Sequence, residues 1–110
     1  MNGSTMLIMP DDGVSVWQIL LAEFIFTFLL AAVVIMVCTP KRTANHGYRG
    51  AAIGLTVFVG IMCVGSISGG VFNPAVAFGP IIVDLLDGGI SISYLRMYLV
   101  ATLAGGAAAG

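Results

Sequence analysis

Asn73-Pro74-Ala75 is the triplet in this 110-residue chain whose residue types and order can do chemistry. Asn is a strong helix N-cap, Pro suits the first helical position because its missing N–H costs nothing there, and Ala lets another helix approach. A helix that starts here inside an apolar stretch offers unpaired N–H groups and aligned peptide dipoles as a patch of positive potential, which repels cations and hydrated protons. The Asn73 amide adds hydrogen-bond donors for a passing neutral molecule. Just upstream, Gly69 and Gly70 permit the chain to run extended, so that the carbonyls of Gly69 to Phe72 form a file of acceptors. Donors beside acceptors suit water or small hydroxylated solutes. In a soluble protein an Asn-Pro pair is usually only a turn, so the surrounding segments decide what this one is.

Glu23 is the second candidate. It is the only charged residue between Asp12 and Lys41, and a carboxylate inside such a run faces the protein interior with a partner, because exposure to lipid is costly. A proton relay and a structural acceptor are both open to it. The remaining candidates carry less. Cys38 and Cys63 lie in apolar segments without CxxC or His-ligand spacing, so neither a disulfide framework nor a metal site is expected, and no cofactor. Six methionines read as apolar filler. Gln18 and Thr27 receive no chemical role. His46 sits in a polar loop, and Ser66 and Ser68 lie across the membrane from it, so no nucleophile and base meet and no enzyme is expected. Asp84 and Asp87 are expected to cap the way out of the helix that begins at Pro74.

The elements that position these residues follow from composition. The chain is 59% hydrophobic and 8% charged with a mean hydropathy of +1.09, outside the balance of a soluble domain. Four Lys and Arg in all leave no basic stripe for nucleic acid. After a polar lead at residues 1–15, Val16 to Cys38 gives 23 mostly apolar residues, and a bilayer core of ~30 Å needs about 20 helical ones. The lead carries Asp11 and Asp12 rather than a basic region, so this run is expected to stay in the mature protein. Thr39 and Pro40 stop the helix, and Lys41, Arg42, Asn45, His46, Gly47 and Arg49 form a basic loop, placed on the cytoplasmic side. From Gly50 to Val83 there are 34 uncharged residues, ~51 Å as one helix and too long for one span. Ser68, Gly69 and Gly70 divide them: Ala51 to about Ile67 crosses, and Pro74 to about Leu86 is too short to cross and returns as a re-entrant half-helix. A last apolar segment from Ser93 or Tyr94 to Gly110 looks cut short.

Ser68-Gly69-Gly70-Val71-Phe72-Asn73-Pro74-Ala75, followed by Phe78-Gly79-Pro80, resembles the second signature loop of the major intrinsic protein family, the aquaporins and glycerol channels. Ala22-Glu23-Phe24 with Thr27 resembles the opening of that family's fourth helix, and Ala52-Ile53-Gly54-Leu55 its fifth. The spacing of 50 positions between Glu23 and Asn73 is similar too. The resemblance covers residues 16–110. It implies an all-α, multi-pass membrane protein of three transmembrane helices plus one re-entrant half-helix, half of an aquaporin-like inverted-repeat bundle. It also implies a tetramer, and a pore signature at Asn73, Pro74 and Ala75, with Glu23 holding the loop together with Ser68 and Gly69. The selectivity filter would draw on Ile61, Gly70 and Val76. Most family members carry arginine at the position of Val76, and water-selective ones commonly carry histidine at that of Ile61; here all three positions are apolar or tiny. A wider, less polar constriction is the consequence, suited to glycerol, urea or ammonia as well as water.

The expected function is therefore passive transport of water or small neutral solutes by half a channel embedded in the lipid bilayer, completed by an N-terminal half or a complementary chain. A non-conducting truncated or accessory membrane subunit, packing through Gly105, Gly106 and neighbouring alanines, is the alternative. The topology is testable by cysteine-accessibility labelling. Three of the four basic residues lie at 41–49, so a cysteine at Asn45 should react from the cytoplasmic side and one at Asp87 from the other. Labelling of both from one side would eliminate the re-entrant half-helix.

Overall fold

The computed structural model describes residues 13–39, 47–86 and 92–110. Among these the chain is all-helical, with α1 at Val16–Cys38, α2 at Arg49–Ser68, α3 at Pro74–Leu86 and α4 at Ile92–Ala109, and no strand. Expectations for Pro10, Asp11 and Asp12, for Lys41, Arg42, Asn45 and His46, and for Asp87, Gly88 and Gly89 lie outside the described residues. Asp84 falls within α3.

Each helix boundary has a local cause. α1 opens on a capping box in which the Gln18 N–H donates to Ser15 Oγ at 3.3 Å and the Ser15 N–H donates to Gln18 Oε1 at 2.9 Å. Two of the donors that every helix N-terminus leaves unpaired are thereby satisfied. The α2 C-terminus is closed by Gly69 in the left-handed conformation (φ 84°, ψ −8°), whose N–H returns to the Gly65 carbonyl at 2.8 Å. Only glycine takes that conformation without a steric cost. This corrects the expectation of an extended chain at this position. The stop needed to end α2 turns the backbone left-handed at Gly69, and Gly70 also has positive φ (67°).

α1 is the hub. It packs along α4 and, on another side, against α2, while α3 rests on α4. One buried cluster joins Ile19, Val71, Ala77, Ile81 and Tyr98, and a second joins Ala22, Val64 and Phe72. Val71 and Phe72 are adjacent in sequence yet enter different clusters, so the segment between α2 and α3 is threaded through the protein.

α1 and α2 are long and apolar enough to cross a membrane, with mean hydropathies of 2.7 and 2.1. Only 22% and 11% of those stretches is buried within the chain. The core helix of a water-soluble protein would be mostly buried. Trp17, Met36 and Met62 are instead about 70% exposed or more, and apolar surface on this scale belongs against lipid or another membrane-embedded surface. Two hydroxyls within the helices are satisfied by the carbonyl one turn earlier, Thr56 by that of Ala52 at 2.7 Å and Thr102 by that of Tyr98 at 2.6 Å. Such pairing is what a medium without water demands.

The α1–α4 contact depends on a missing side chain. A Cβ at Gly105 would lie 2.6 Å from the Phe24 carbonyl oxygen, 3.0 Å from Thr27 Cβ and 3.1 Å from the Phe28 nitrogen. Two of these are backbone atoms, so the helices must part to admit it. Gly105→Ala is therefore expected to destabilise the chain by about 1–3 kcal/mol. Gly106→Ala, where nothing lies within 4 Å, should be neutral. Thermal unfolding in detergent compares the two, and equal midpoints would show that the close approach at Gly105 does not hold α4 to α1.

Candidate functional site

Five residues, 69 to 73, connect α2 to the short α3. An irregular segment in an apolar setting must find partners for its N–H and C=O groups; here two side chains take up its N–H groups, and a third pairs the carbonyl of Ser68 just before it. The carboxylate of Glu23, fully buried on α1, accepts from the Val71 N–H at 3.0 Å through Oε1 and from the Phe72 N–H at 2.7 Å through Oε2. The Ser68 hydroxyl donates to the Val64 carbonyl at 3.4 Å and accepts from the Gly70 N–H at 3.3 Å. The Tyr98 hydroxyl, from α4, donates to the Ser68 carbonyl. With its oxygen so engaged and its side chain wholly buried, Ser68 has no free hydroxyl for nucleophilic work.

Phe72 is held against its own preference. Its φ is +52°, a region that costs a non-glycine residue about 1–2 kcal/mol. The bond to Glu23 holds its N–H, and its ring stacks tilted on Phe26 with centroids 5.5 Å apart. Gly60 makes room for that ring: a Cβ there would lie 2.7 Å from Phe72 Cε2. The locked Phe72 sets the direction in which the next residue leaves.

That residue is Asn73. Its carbonyl accepts from the N–H groups of Val76 and Ala77 at 3.1 and 3.2 Å, and its Oδ1 accepts from the Ala75 N–H at 2.8 Å, which caps α3. An acceptor must face those donors, so the other end of the amide, Nδ2 with its two hydrogens, is turned away from the cap. Asn73 is exposed. Its geometry places a fixed pair of donors beside the positive end of a helix. Pro74 occupies the first helical position and Ala75 comes next, exposed.

Of the other sequence candidates, Ile61 and Gly70 are brought together, since a Cβ at Gly70 would lie 3.1 Å from Ile61 Cγ1 and 3.4 Å from its Cα. Val76 lies in the first turn of α3, and both it and Ile61 are close to half exposed. Pro80, inside α3, has no N–H to offer the Val76 carbonyl one turn earlier. Cys38 and Cys63 are free and exposed. Among the described residues no three of His, Cys, Asp and Glu gather to hold a metal.

Sequence reasoning missed the roles of three residues in the helices that carry this site. Gln18 completes the α1 cap and was legible in the Ser-x-x-Gln spacing. Thr27 is buried with Oγ1 unpartnered among the described residues, against Gly105. Tyr98 gives no local signal, because its partner lies 30 residues away.

The sequence is similar to known proteins. The sequence model of the family described as Major intrinsic protein matches residues 1–110. Aquaporin AqpM of Methanothermobacter marburgensis is 38% identical over 97 residues, covering 87% of this chain and 39% of that protein. Probable aquaporin AqpM of Archaeoglobus fulgidus is 39% identical over 100 residues, covering 91% and 40% respectively. Aquaporin TIP1-1 of Zea mays is 37% identical over 99 residues, covering 89% and 38%. The chain thus spans about two fifths of the length of these curated relatives.

The Glu23 bonds generate a graded expectation. Glu23→Gln keeps one acceptor oxygen and sets an NH2 group against the second N–H, and Glu23→Ala removes both acceptors. Hydrogen bonds to a charged group contribute about 1.5–3 kcal/mol each. Chemical denaturation in detergent should rank wild type above Glu23→Gln above Glu23→Ala, separated by about 1–3 kcal/mol per step. A Glu23→Ala variant as stable as wild type would show that the carboxylate does not hold the loop.

Proposed function

The chain belongs to the major intrinsic protein family, and from that membership we propose that it forms half of a passive membrane channel for water and small neutral solutes such as glycerol or urea. In this reading α1, α2 and α4 span the bilayer and α3 is a re-entrant half-helix whose N-terminus lies near the midplane. The observation that carries it is the cap at Asn73: its oxygen is committed to the Ala75 N–H, so its donors face outward at the positive end of a short apolar helix. A neutral solute finds hydrogen bonds there, and a cation finds repulsion. No bond is made or broken, so the protein is no enzyme.

Ile61, Gly70 and Val76 form this half's share of the outer constriction. Their apolar or absent side chains leave a wide passage without fixed charge, which favours neutral solutes larger than water. The facing wall is a second, inverted half with its own Asn-Pro-Ala, on the same polypeptide or another, and four such pores assemble as a tetramer. The exposed faces of α1 and α2 are available to that half, to neighbouring copies and to lipid.

Proteoliposomes and stopped-flow light scattering test this. The chain reconstituted with a complementary half should shrink vesicles several-fold faster than empty lipid, while the chain alone should conduct little, since same-sense copies cannot supply an inverted half. Absence of flux in the completed assembly would favour the non-conducting membrane subunit. Within a conducting assembly, Val76→Arg adds bulk and fixed donors to the constriction, and should reduce glycerol and urea flux about fivefold more than water flux. An unchanged solute ratio would take Val76 out of the filter.

A further inference from the structure

Tyr98 occupies a position in this site that neither the Asn-Pro-Ala motif nor the family match assigns. Its side chain is fully buried within α4, and its ring packs in the cluster of Ile19, Val71, Ala77 and Ile81. Packing alone would be met as well by phenylalanine. The hydroxyl does something a hydrocarbon cannot: it donates to the carbonyl of Ser68, 30 residues earlier and the last residue of α2. A helix leaves its last four carbonyls without internal partners, and in an apolar setting such a group must be paired or it destabilises the fold.

Ser68 passes the constraint onward. Its hydroxyl accepts from the Gly70 N–H at 3.3 Å, so Gly70 is tied to Ser68 and Ser68 to α4. The link is needed because Gly69 and Gly70 both have positive φ (84° and 67°) and, as glycines, are the residues with the greatest backbone freedom. Glu23 fixes only the far side of the glycine pair, at Val71 and Phe72. On the near side the Gly69 N–H is held by the Gly65 carbonyl within α2, and Tyr98 is the anchor that ties this end to α4. Gly70 in turn abuts Ile61, where a Cβ would come within 3.1 Å of Cγ1. The gap between Gly70 and Ile61 is thus too narrow for a side chain, and Gly70 has little room to move toward Ile61.

We infer that Tyr98 is a positioning residue for the constriction: through the Ser68 carbonyl its hydroxyl fixes how close Gly70 stands to Ile61, and thereby limits the size of the neutral solutes admitted. The inference rests on the proposed reading of Ile61, Gly70 and Val76 as the constriction. Loss of the hydroxyl frees Gly70 to move away from Ile61, where the gap is already narrow, and so widens the passage.

The test is the ratio of glycerol to water permeability in the completed channel, for wild type, Tyr98→Phe and Val76→Arg. A merely structural defect lowers the number of working channels and scales both permeabilities together, leaving the ratio fixed. Tyr98→Phe should raise the ratio about threefold, and Val76→Arg should lower it. If Val76→Arg shifts the ratio and Tyr98→Phe does not, the role of Tyr98 is overturned while the constriction stands. If neither shifts it, the constriction itself is misplaced, and the inference falls with it. Amide hydrogen exchange in detergent gives a second measurement that does not need conduction. In Tyr98→Phe the Gly70 amide should exchange about tenfold faster than in wild type, with the Phe72 amide, bonded to Glu23, much less affected. Equal acceleration at both sites would mean general loosening and would overturn the positioning role.

Discussion

One buried carboxylate organises the segment between α2 and α3. Without the bonds from Val71 and Phe72 to Glu23, two backbone N–H groups would stand unpaired in an apolar interior, at a cost of the order of 1–3 kcal/mol each. The same bonds hold Phe72 at positive φ, and Phe72 delivers Asn73 to the start of α3. Burying a charge is itself costly, so a carboxylate persists there only if fully engaged. Glu23 supplies one oxygen to each donor, a match in number that glutamine cannot reproduce.

That bonding has a packing requirement. Between apolar helices in lipid there is no hydrophobic drive to associate, so contact must come from close backbone approach and from hydrogen bonds. Gly105 lets α4 lie against the backbone of α1 near Phe24 and Phe28, and Gly60 lets the Phe72 ring seat between α1 and α2. Tyr98 and Thr102 stand on the face of α4 that this approach buries. The small residues set the distances at which Glu23 from one helix and Tyr98 from another can both reach the same loop.

How much of this the sequence disclosed depended on how local the cause was. The ends of α1 could be read because a polar lead gives way to an apolar run at Val16 and because Thr39 and Pro40 are local stops, and the start of α3 because Asn73 and Pro74 are an N-cap and a first-turn residue. The backbone between was misjudged. Glycines permit extended chain and left-handed turns alike, and the need to terminate α2 decided for the turn at Gly69. Glu23 could be singled out as a buried charge in want of a partner, yet its partners, 48 and 49 residues away, appear only in three dimensions. For Tyr98 even the need was hidden, since a tyrosine in an apolar helix reads as packing.

On the proposed reading, selectivity against cations has to come from α3 alone, because Val76 and Ile61 carry no charge. A helix N-terminus is equivalent to about half a positive charge, whereas Glu23 is formally a full negative one bonded to the two residues just before the cap. At equal distance the carboxylate would win and the site would attract cations. Two features reverse this. Glu23 is fully buried while Asn73 is exposed, so a solute meets the helix terminus first, and Coulomb energy falls with separation. The carboxylate also spends its two oxygens on N–H dipoles that point their positive ends toward it, which offsets much of its field. The neutral Asn side chain completes the arrangement: an aspartate would cap α3 equally well, but it would place a negative charge where the positive helix end must be felt, and would offer no donors to a passing solute.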